Sequence, residues 1–170
     1  MLDLGTRSRR IVAASTAVFT LIGLLLGMAF LFAAQSASAA GTTYEAENAA
    51  LSGGAVVATD HSGYTGTGFV AGYTDTNKGT ADTTFTINAP NAGTYTLTLR
   101  YSNGTGSTMT LSLYTNSSKL KQITLPGTAD WNTWTTETEN VTLNTGNNTV
   151  AYKFDTTDTG NVNLDNLTVT

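Results

Sequence analysis

The stretch "GTYTLTLRYSNG", residues 93–104, decides the fold because its side chains alternate between apolar and polar. The apolar positions are Tyr95, Leu97, Leu99 and Tyr101. Successive side chains of a strand point to opposite faces, so the pattern predicts a strand with one buried face. The Asn103-Gly104 pair at its end suits a tight turn between two strands.

Six further segments of the chain indicate strands, two of them with the same clear alternation and four with a weaker one. They are "DTTFTINA" (82–89), "TMTLSLYT" (108–115), "KLKQITL" (119–125), "WTTETENVTL" (134–143), "NNTVAYKFD" (147–155) and "NVNLDNLTV" (161–169). Turn-forming Gly, Asn, Asp and Pro separate them, and no amphipathic helix follows residue 40. Many short strands at this spacing predict an all-β fold, a jelly-roll sandwich of two antiparallel sheets.

The first 39 residues have the pattern of an export signal. Three arginines precede an apolar run, residues 11–34, and the small residues Ala37-Ser38-Ala39 form a cleavage pattern. The run is also long enough to span a bilayer, so an uncleaved membrane anchor is the alternative. Both interpretations place residues 40–170, a single domain by length, outside the cytoplasm, either secreted or at the cell surface. The absence of Cys excludes a fold built on disulfides.

Charge is sparse in residues 40–170 and its balance is acidic. Five basic side chains face eleven carboxylates, which gives a net charge of −6. Nucleic-acid binding depends on neutralising phosphates, so we expect no nucleic-acid partner. The acidity is compatible with calcium, which binds carboxylate oxygens.

Glu45 and Glu47, in "TTYEAENAALSGG" (42–54), are the first candidates for chemistry. If the segment is a strand, both carboxylates lie on one face, and neither has a basic neighbour in sequence. A solvated edge is one interpretation and a calcium site is the other. Pairing of the first and last strands would bring Asp165 to the two glutamates.

Five stretches taken in order resemble carbohydrate-binding modules, most closely family 35, with family 6 as a near relative. They are "YEAENA" (44–49), "HSGYTGTGFVAGY" (61–73), "AGTYTLTLRYSNG" (92–104), "LPGTADWNTW" (125–134) and "VNLDNLTV" (162–169). The resemblance implies a β-sandwich with a galactose-binding-like jelly roll and a structural Ca²⁺. It places the calcium carboxylates at Glu45, Glu47 and Asp165, with backbone carbonyls of the loop 63–68 completing the shell.

The resemblance to family 6 also implies a sugar site. It places a stacking indole at Trp131 and a hydroxyl-binding amide at Asn163. Tyr64 and Tyr73 are further candidates for sugar contact, and packing explains both equally well. An aromatic ring for the sugar face and polar groups for its hydroxyls are what such a site needs.

Other aromatic and polar residues are expected to have structural roles. Trp134 enters a strand and is expected to pack in the core. Phe69 lacks a hydroxyl and is expected to be buried. Asn103 is expected to act as a turn residue rather than as a ligand contact. His61, the only histidine, is expected to be exposed.

The sequence therefore predicts a secreted, monomeric, non-catalytic module that binds a plant or microbial polysaccharide or oligosaccharide. A small glycan-active hydrolase or lyase is one alternative, since two carboxylates can cleave a glycosidic bond. A surface adhesion domain tethered to the membrane by residues 1–39 is the other. No nucleophile elbow, phosphate loop or zinc spacing points to another chemistry.

Overall fold

The computed structural model describes residues 41–170, so the predicted signal or anchor, residues 1–39, lies outside the described residues. The strands are β1 (Thr42–Glu45), β2 (Ala50–Ser52), β3 (Val56–Ala58), β4 (Phe69–Ala71), β5 (Asp82–Ala89), β6 (Gly93–Ser102), β7 (Met109–Thr115), β8 (Ser118–Leu125), β9 (Thr135–Leu143), β10 (Gly146–Lys153) and β11 (Asn163–Val169). Two 3₁₀ turns, Ala46–Asn48 and Asp75–Asn77, are the helical elements of the described part. Each strand predicted from the sequence is present.

The strands form two antiparallel sheets that pack as a sandwich, as predicted. The first sheet has the order β3-β4-β11-β6-β9, and β1 also pairs with β11. The second sheet has the order β2-β5-β10-β7-β8. Strands adjacent in sequence are therefore often in different sheets, and their connecting loops gather at the ends of the sandwich.

The core lies between the sheets and is built from the alternating positions. On β6, Leu97, Leu99 and Tyr101 are buried, while Arg100 lies on the opposite, outer face. The register pairs Leu97, Leu99 and Tyr101 of β6 with Val169, Leu167 and Leu164 of β11. Residues opposite each other in an antiparallel pair share a face, so both strands contribute to one core.

A β-bulge interrupts β11 between Leu164 and Asn166. Leu164 and Leu167 both face the core although they are three residues apart, because Asp165 is the extra residue. The bulge therefore leaves Asp165 and Asn166 together on the outer side of the sheet.

Among residues 41–170 no helix is long and apolar enough to cross a membrane.

Candidate functional site

Three carboxylates meet the loop formed by residues 59–68, between β3 and β4. β1 pairs with β11, which is the pairing that brings Asp165 toward the glutamates, and the pair Glu45 and Asn166 lies at the inner end of their register. β1 ends at Glu45, and Glu47 lies in the 3₁₀ turn that follows. The expectation that both glutamates share one strand face is wrong, because the chain turns at Ala46. Both side chains still reach the 59–68 loop.

Thr65 and Thr67 of the 59–68 loop hold these carboxylates. The Thr65 hydroxyl lies 2.8 Å from Glu45 Oε2 and 3.1 Å from Asp165 Oδ2, and its backbone N–H donates to Asp165 Oδ1 at 2.8 Å. The backbone N–H of Thr67 donates to Glu47 Oε1 at 2.7 Å. The loop thus joins the first strand, the 3₁₀ turn and the last strand.

Asp165 is fully buried and has a cationic partner. Nη1 of Arg100 donates to Asp165 Oδ2, and Nη2 donates to the Gly63 carbonyl at 2.9 Å. Asn166 Nδ2 also donates to Asp165 Oδ2, at 3.0 Å. The bulge permits this arrangement because it places Asp165 and Asn166 on the side where Arg100 lies.

The oxygen atoms beside the 59–68 loop include one that a hard cation would satisfy. Glu47 Oε2 is buried and has no hydrogen-bond partner. A carboxylate oxygen without a partner is costly to bury, and a bound cation would satisfy it. Gly66, at φ +65°, lets the loop pass close to Glu45 and Glu47, since a Cβ there would stand 3.2 Å from Glu45 Cδ and 3.1 Å from Glu47 Cδ. Within residues 41–170, however, no three His, Cys, Asp or Glu side chains converge in metal-ligand geometry.

An aromatic cluster lies on the outer face of the first sheet, beside this loop. Phe69 is fully buried, as expected, and three rings surround it. Their centroids lie 5.7 Å (His61), 5.6 Å (Tyr64) and 5.5 Å (Trp134) from the Phe69 centroid. The 59–68 loop thus has a small core of its own, which fixes its position on the sheet.

Trp134 belongs to this outer cluster, and the expectation that it packs in the core of the sandwich is wrong. Its indole is half-buried, and Nε1 donates to the Ser62 carbonyl at 2.8 Å. The Arg100 guanidinium lies 5.4 Å from the ring centroid. Trp134 just precedes β9, and its side chain lies on the same outer face of the sheet as Arg100.

A cavity of about 160 Å³ brings Trp131 and Asn163 together, and His61 and Tyr73 also line it. Trp131 is half-buried in the loop between β8 and β9. The His61 ring is nearly parallel to its indole, with the centroids 5.9 Å apart and an angle of 16°. Indole, imidazole and amide form the mixed aromatic and polar lining that a sugar site requires.

Gly104 supports the indole of Trp131 from behind. A Cβ at Gly104 would stand 2.6 Å from Cγ and Cδ1 of Trp131, so the absence of a side chain lets the indole rest on the backbone. Gly104 does not line the cavity, whereas Trp131 does. The part of the indole that a ligand can reach is therefore the part that lines the cavity with His61 and Asn163.

The two tyrosine candidates differ from Trp131 and Asn163 in their placement. Tyr73 is buried, and its hydroxyl lies 2.7 Å from Thr83 Oγ1 and 2.9 Å from the Tyr152 carbonyl oxygen. Burial raises the pKa of Tyr73, the nearby Asp82 carboxylate adds to this shift, and the hydrogen bond with Thr83 opposes it. Tyr73 contributes only a ring wall to the cavity, and Tyr64 packs on Phe69 outside it. Packing explains both tyrosines.

The expectation for His61 is wrong, and the expectation that Asn103 is a turn residue agrees with the structure. His61 is half-buried between the rings of Phe69 and Trp131 instead of exposed. The aromatic residues at 64 and 69 were the available signal, since a loop that carries several rings tends to fold onto them. Asn103 is buried, and its Nδ2 donates to the carbonyls of Ser107 and Leu125 at 2.8 Å each, so it serves the turn.

The profile described as "Carbohydrate binding module (family 6)" matches residues 45–170. The chain belongs to this family. The solved family 35 module of Paenibacillus barcinonensis is also similar, with 38% identity and a TM-score of 0.66 over 76% of this chain and 98% of that one. The predicted resemblance to families 35 and 6 is confirmed, and with it the jelly-roll sandwich.

Two enzymes contain a region similar to this family 6 module. The 1,6-alpha-glucosyltransferase of Sporosarcina globispora is 48% identical over 126 residues, which are 73% of this chain and 10% of the enzyme. The cycloisomaltooligosaccharide glucanotransferase of Paenibacillus sp., solved in complex with cycloisomaltoheptaose, is 37% identical with a TM-score of 0.71 over 75% of this chain and 18% of that one. The module thus spans only a small fraction of these relatives.

Proposed function

We propose that this chain is a non-catalytic, exported module that binds an α-1,6-linked glucan at the cavity of Trp131 and Asn163. One observation carries the proposal: the fold brings an indole and an amide into a single cavity, although the two are 32 residues apart. A pyranose stacks its apolar C–H face on the indole, while the Asn163 amide bonds its hydroxyls. The stacked area supplies most of the affinity, and the amide orients the ring.

The relatives support the choice of glycan. One is named as a 1,6-alpha-glucosyltransferase, and another is solved with a cycloisomaltoheptaose. A module attached to such enzymes serves best if it holds the same polymer. Isomaltooligosaccharides are therefore the first ligands to test, with xylan and mannan oligosaccharides as comparisons.

A binding role without catalysis agrees with where the carboxylates lie. Glycoside hydrolysis requires two carboxyl groups about 5–10 Å apart across the scissile bond. Among residues 41–170, the side chains that line the Trp131 cavity include neither Asp nor Glu. The carboxylates of Glu45 and Asp165 are occupied by Thr65 and Arg100 instead.

A structural Ca²⁺ at Glu45, Glu47 and Asp165 is part of the proposal. The partnerless Glu47 Oε2 supports it, and so does the closeness of Glu45 and Glu47 at Gly66. A bound Ca²⁺ would neutralise these carboxylates and join β1 to β11. Because a ligand that binds only the folded state adds stability, chelation should lower the melting temperature of a calcium-loaded sample.

The pattern of residues 1–39 supports the export that is part of the proposal. If the segment is retained as an anchor, the same module would act at the cell surface. N-terminal sequencing of the exported protein distinguishes the two.

Calorimetric titration with isomaltotetraose tests the sugar site. Trp131→Ala should abolish measurable binding and leave the circular dichroism spectrum unchanged. Asn163→Ala should weaken binding less, by about two- to tenfold, since a neutral hydrogen bond contributes about 0.5–1.5 kcal/mol. If the Trp131→Ala variant binds the glycan as tightly as the parent does, the sugar site lies elsewhere. Turnover of any glycan by the pure protein would contradict the non-catalytic role.

A further inference from the structure

The loop 154–162, between β10 and β11, supplies one wall of the Trp131 cavity. Residues 161–163, at and just after the end of this loop, line the cavity. The backbone N–H of Asn161 donates to the carbonyl of Tyr73, which lines the cavity beside them. Asn161 has a φ of 55°, a left-handed conformation that few residues other than glycine adopt. The shape of this wall therefore depends on the contacts that hold the loop in place.

Asp158 is the central anchor of the loop 154–162, and it is fully buried. Its Oδ2 accepts hydrogen bonds from the Ser112 hydroxyl of β7 at 2.8 Å and from the backbone N–H of Asp155 at 2.9 Å. Its Oδ1 accepts a hydrogen bond from the side-chain amide of Gln122, on β8, at 2.6 Å. One carboxylate thus ties the loop to two neighbouring strands of the second sheet.

Asp158 forms no salt bridge within residues 41–170. Lys119 of β8 pairs with Asp155 instead, at 2.7 Å, and the groups that donate to Asp158 are all neutral. A buried charge is costly to remove from water, and hydrogen bonds to neutral donors mainly offset that cost. Stability alone therefore gives little reason for a carboxylate at this position, whereas fixing the geometry of the loop does.

A second set of contacts carries this anchoring from Asp158 to the cavity. Thr159 and Thr110 of β7 exchange two hydrogen bonds, in which the backbone N–H of each donates to the hydroxyl of the other, at 2.8 and 3.0 Å. The backbone N–H of Gly160 donates to the carbonyl of Thr110 at 3.1 Å. Asn161 comes next and already belongs to the wall. Each residue between the buried carboxylate and the wall is therefore held by a hydrogen bond.

We propose that Asp158 is a positioning residue of the sugar site: it holds the loop 154–162 on β7 and β8 and so fixes the wall that presents Asn163 to the glycan. The inference rests on the proposed function, since the glycan is the one that the Trp131 cavity binds. Asp158 does not line the cavity, so it acts through the loop. A wall that is already ordered loses little entropy when a ligand packs on it, and this preorganisation favours affinity.

Calorimetric titration of the full chain with isomaltotetraose, combined with amide hydrogen exchange, tests the role of Asp158. Asp158→Ala should lower the affinity at least about tenfold, because the wall must then become ordered during binding. In the sugar-free protein, the amides of residues 159–161 should exchange at least about tenfold faster, while the amides of β5 and β6 keep their protection. Ser112→Ala removes a single donor and is the milder variant if Asp158→Ala does not fold. It should lower the affinity about two- to tenfold.

Asp158→Asn shows whether hydrogen bonding or negative charge matters at this position. The new amide keeps an oxygen that can accept from Ser112 and from the backbone N–H of Asp155. Gln122 can turn its own amide and accept a hydrogen bond from the new amide nitrogen. The loop therefore stays anchored without the charge, and the affinity should remain within about threefold of the parent.

Asn148→Ala is the matched control for a general loss of stability. Asn148 is buried, and its side chain bonds to the backbone of Asn144 and Gly146 at the opposite end of β10 from the loop 154–162. Its replacement removes buried hydrogen bonds, as Asp158→Ala does, but none beside the cavity. Asn148→Ala should lower the melting temperature and leave the affinity within about twofold of the parent, because distant sites without shared partners act independently.

The outcomes separate the positioning role from the proposed function. An Asp158→Ala variant that binds isomaltotetraose as tightly as the parent would overturn the positioning role and leave the sugar site standing. Equal losses of affinity in Asp158→Ala and Asn148→Ala would also overturn it, since the cause would be general destabilisation. A parent protein that binds no isomaltotetraose would overturn the proposed function, and the exchange rates at residues 159–161 alone would then decide whether Asp158 holds the wall.

Discussion

Replacing Gly104 with Ala tests the sugar site without removing any group proposed to bind sugar. The added Cβ would stand 2.6 Å from Cγ and Cδ1 of Trp131 and 2.7 Å from Cδ2. Carbon atoms in contact are normally about 3.5–4.0 Å apart, so the indole must move by about 1 Å. It would move away from Gly104 and into the space that the ligand uses beside His61 and Asn163.

The expected effect falls on affinity more than on stability. Overpacking costs about 1–3 kcal/mol, and a half-buried indole at the end of a loop relieves it by moving. Replacing Gly by Ala also restricts the unfolded chain, which offsets about 0.4–1 kcal/mol. The melting temperature should therefore stay near that of the parent. Sugar affinity should fall about ten- to hundredfold, which corresponds to about 1.4–2.7 kcal/mol.

Calorimetric titration with isomaltotetraose measures the affinity, and the resonance of the Trp131 indole N–H reports whether the ring has moved. Gly93→Ala is the control, because a Cβ at Gly93 meets nothing within 4 Å, and it should leave both readings unchanged. A shifted indole resonance with unaltered affinity would refute stacking on Trp131.

Three further substitutions test other parts of the structure. Gly66→Ala should weaken calcium binding at least tenfold, because φ of Gly66 is +65° and the added Cβ would collide with the Glu47 carboxylate. A calcium titration of this variant that matches the parent would contradict the proposed metal site. Burial, with Glu139 adding to it, raises the pKa of Glu137 from 4.5 to about 7, so the folded state retains a proton that the unfolded state releases between these values. Stability should therefore fall by about 2 kcal/mol as the pH rises from 4.5 through 7, after allowance for solvent screening, and urea unfolding of Glu137→Gln should not show this fall. Tyr73→Phe should cost about 1–3 kcal/mol of unfolding free energy, because Thr83 and a carbonyl lose a buried partner, and should leave sugar affinity unchanged; a loss of affinity in a folded variant would restore Tyr73 as a sugar contact.

Strand positions and their buried faces follow from sequence because alternation is a local property. Leu97, Leu99 and Tyr101 face the core as the period of two requires. The two strand ends that carry the carboxylates were less regular. A bulge at Asp165 and a 3₁₀ turn at Ala46 both change which way a side chain points, and neither leaves a clear mark on the alternation.

The candidate site was predictable to the extent that the resemblance to a family supplied it. Trp131 and Asn163 share a cavity, as that resemblance implied, but neither residue reveals the other through spacing. Trp134 was expected in the core because its position next to a strand looked regular. Its burial depends on the 59–68 loop, which folds over the outer face through long-range contacts that no local pattern records.

The pairing of β1 with β11 also determines how the module responds to mechanical load. Thr42 lies opposite Val169, so the two ends of the described fold leave the sandwich side by side. Tension applied through both ends would peel the two strands apart one residue pair at a time, starting there. The last pair to open is Glu45 with Asn166, where Thr65 bridges Glu45 to Asp165. The contacts of Thr65 with Glu45 and Asp165 would therefore oppose separation of the two strands most strongly at the last pair to open.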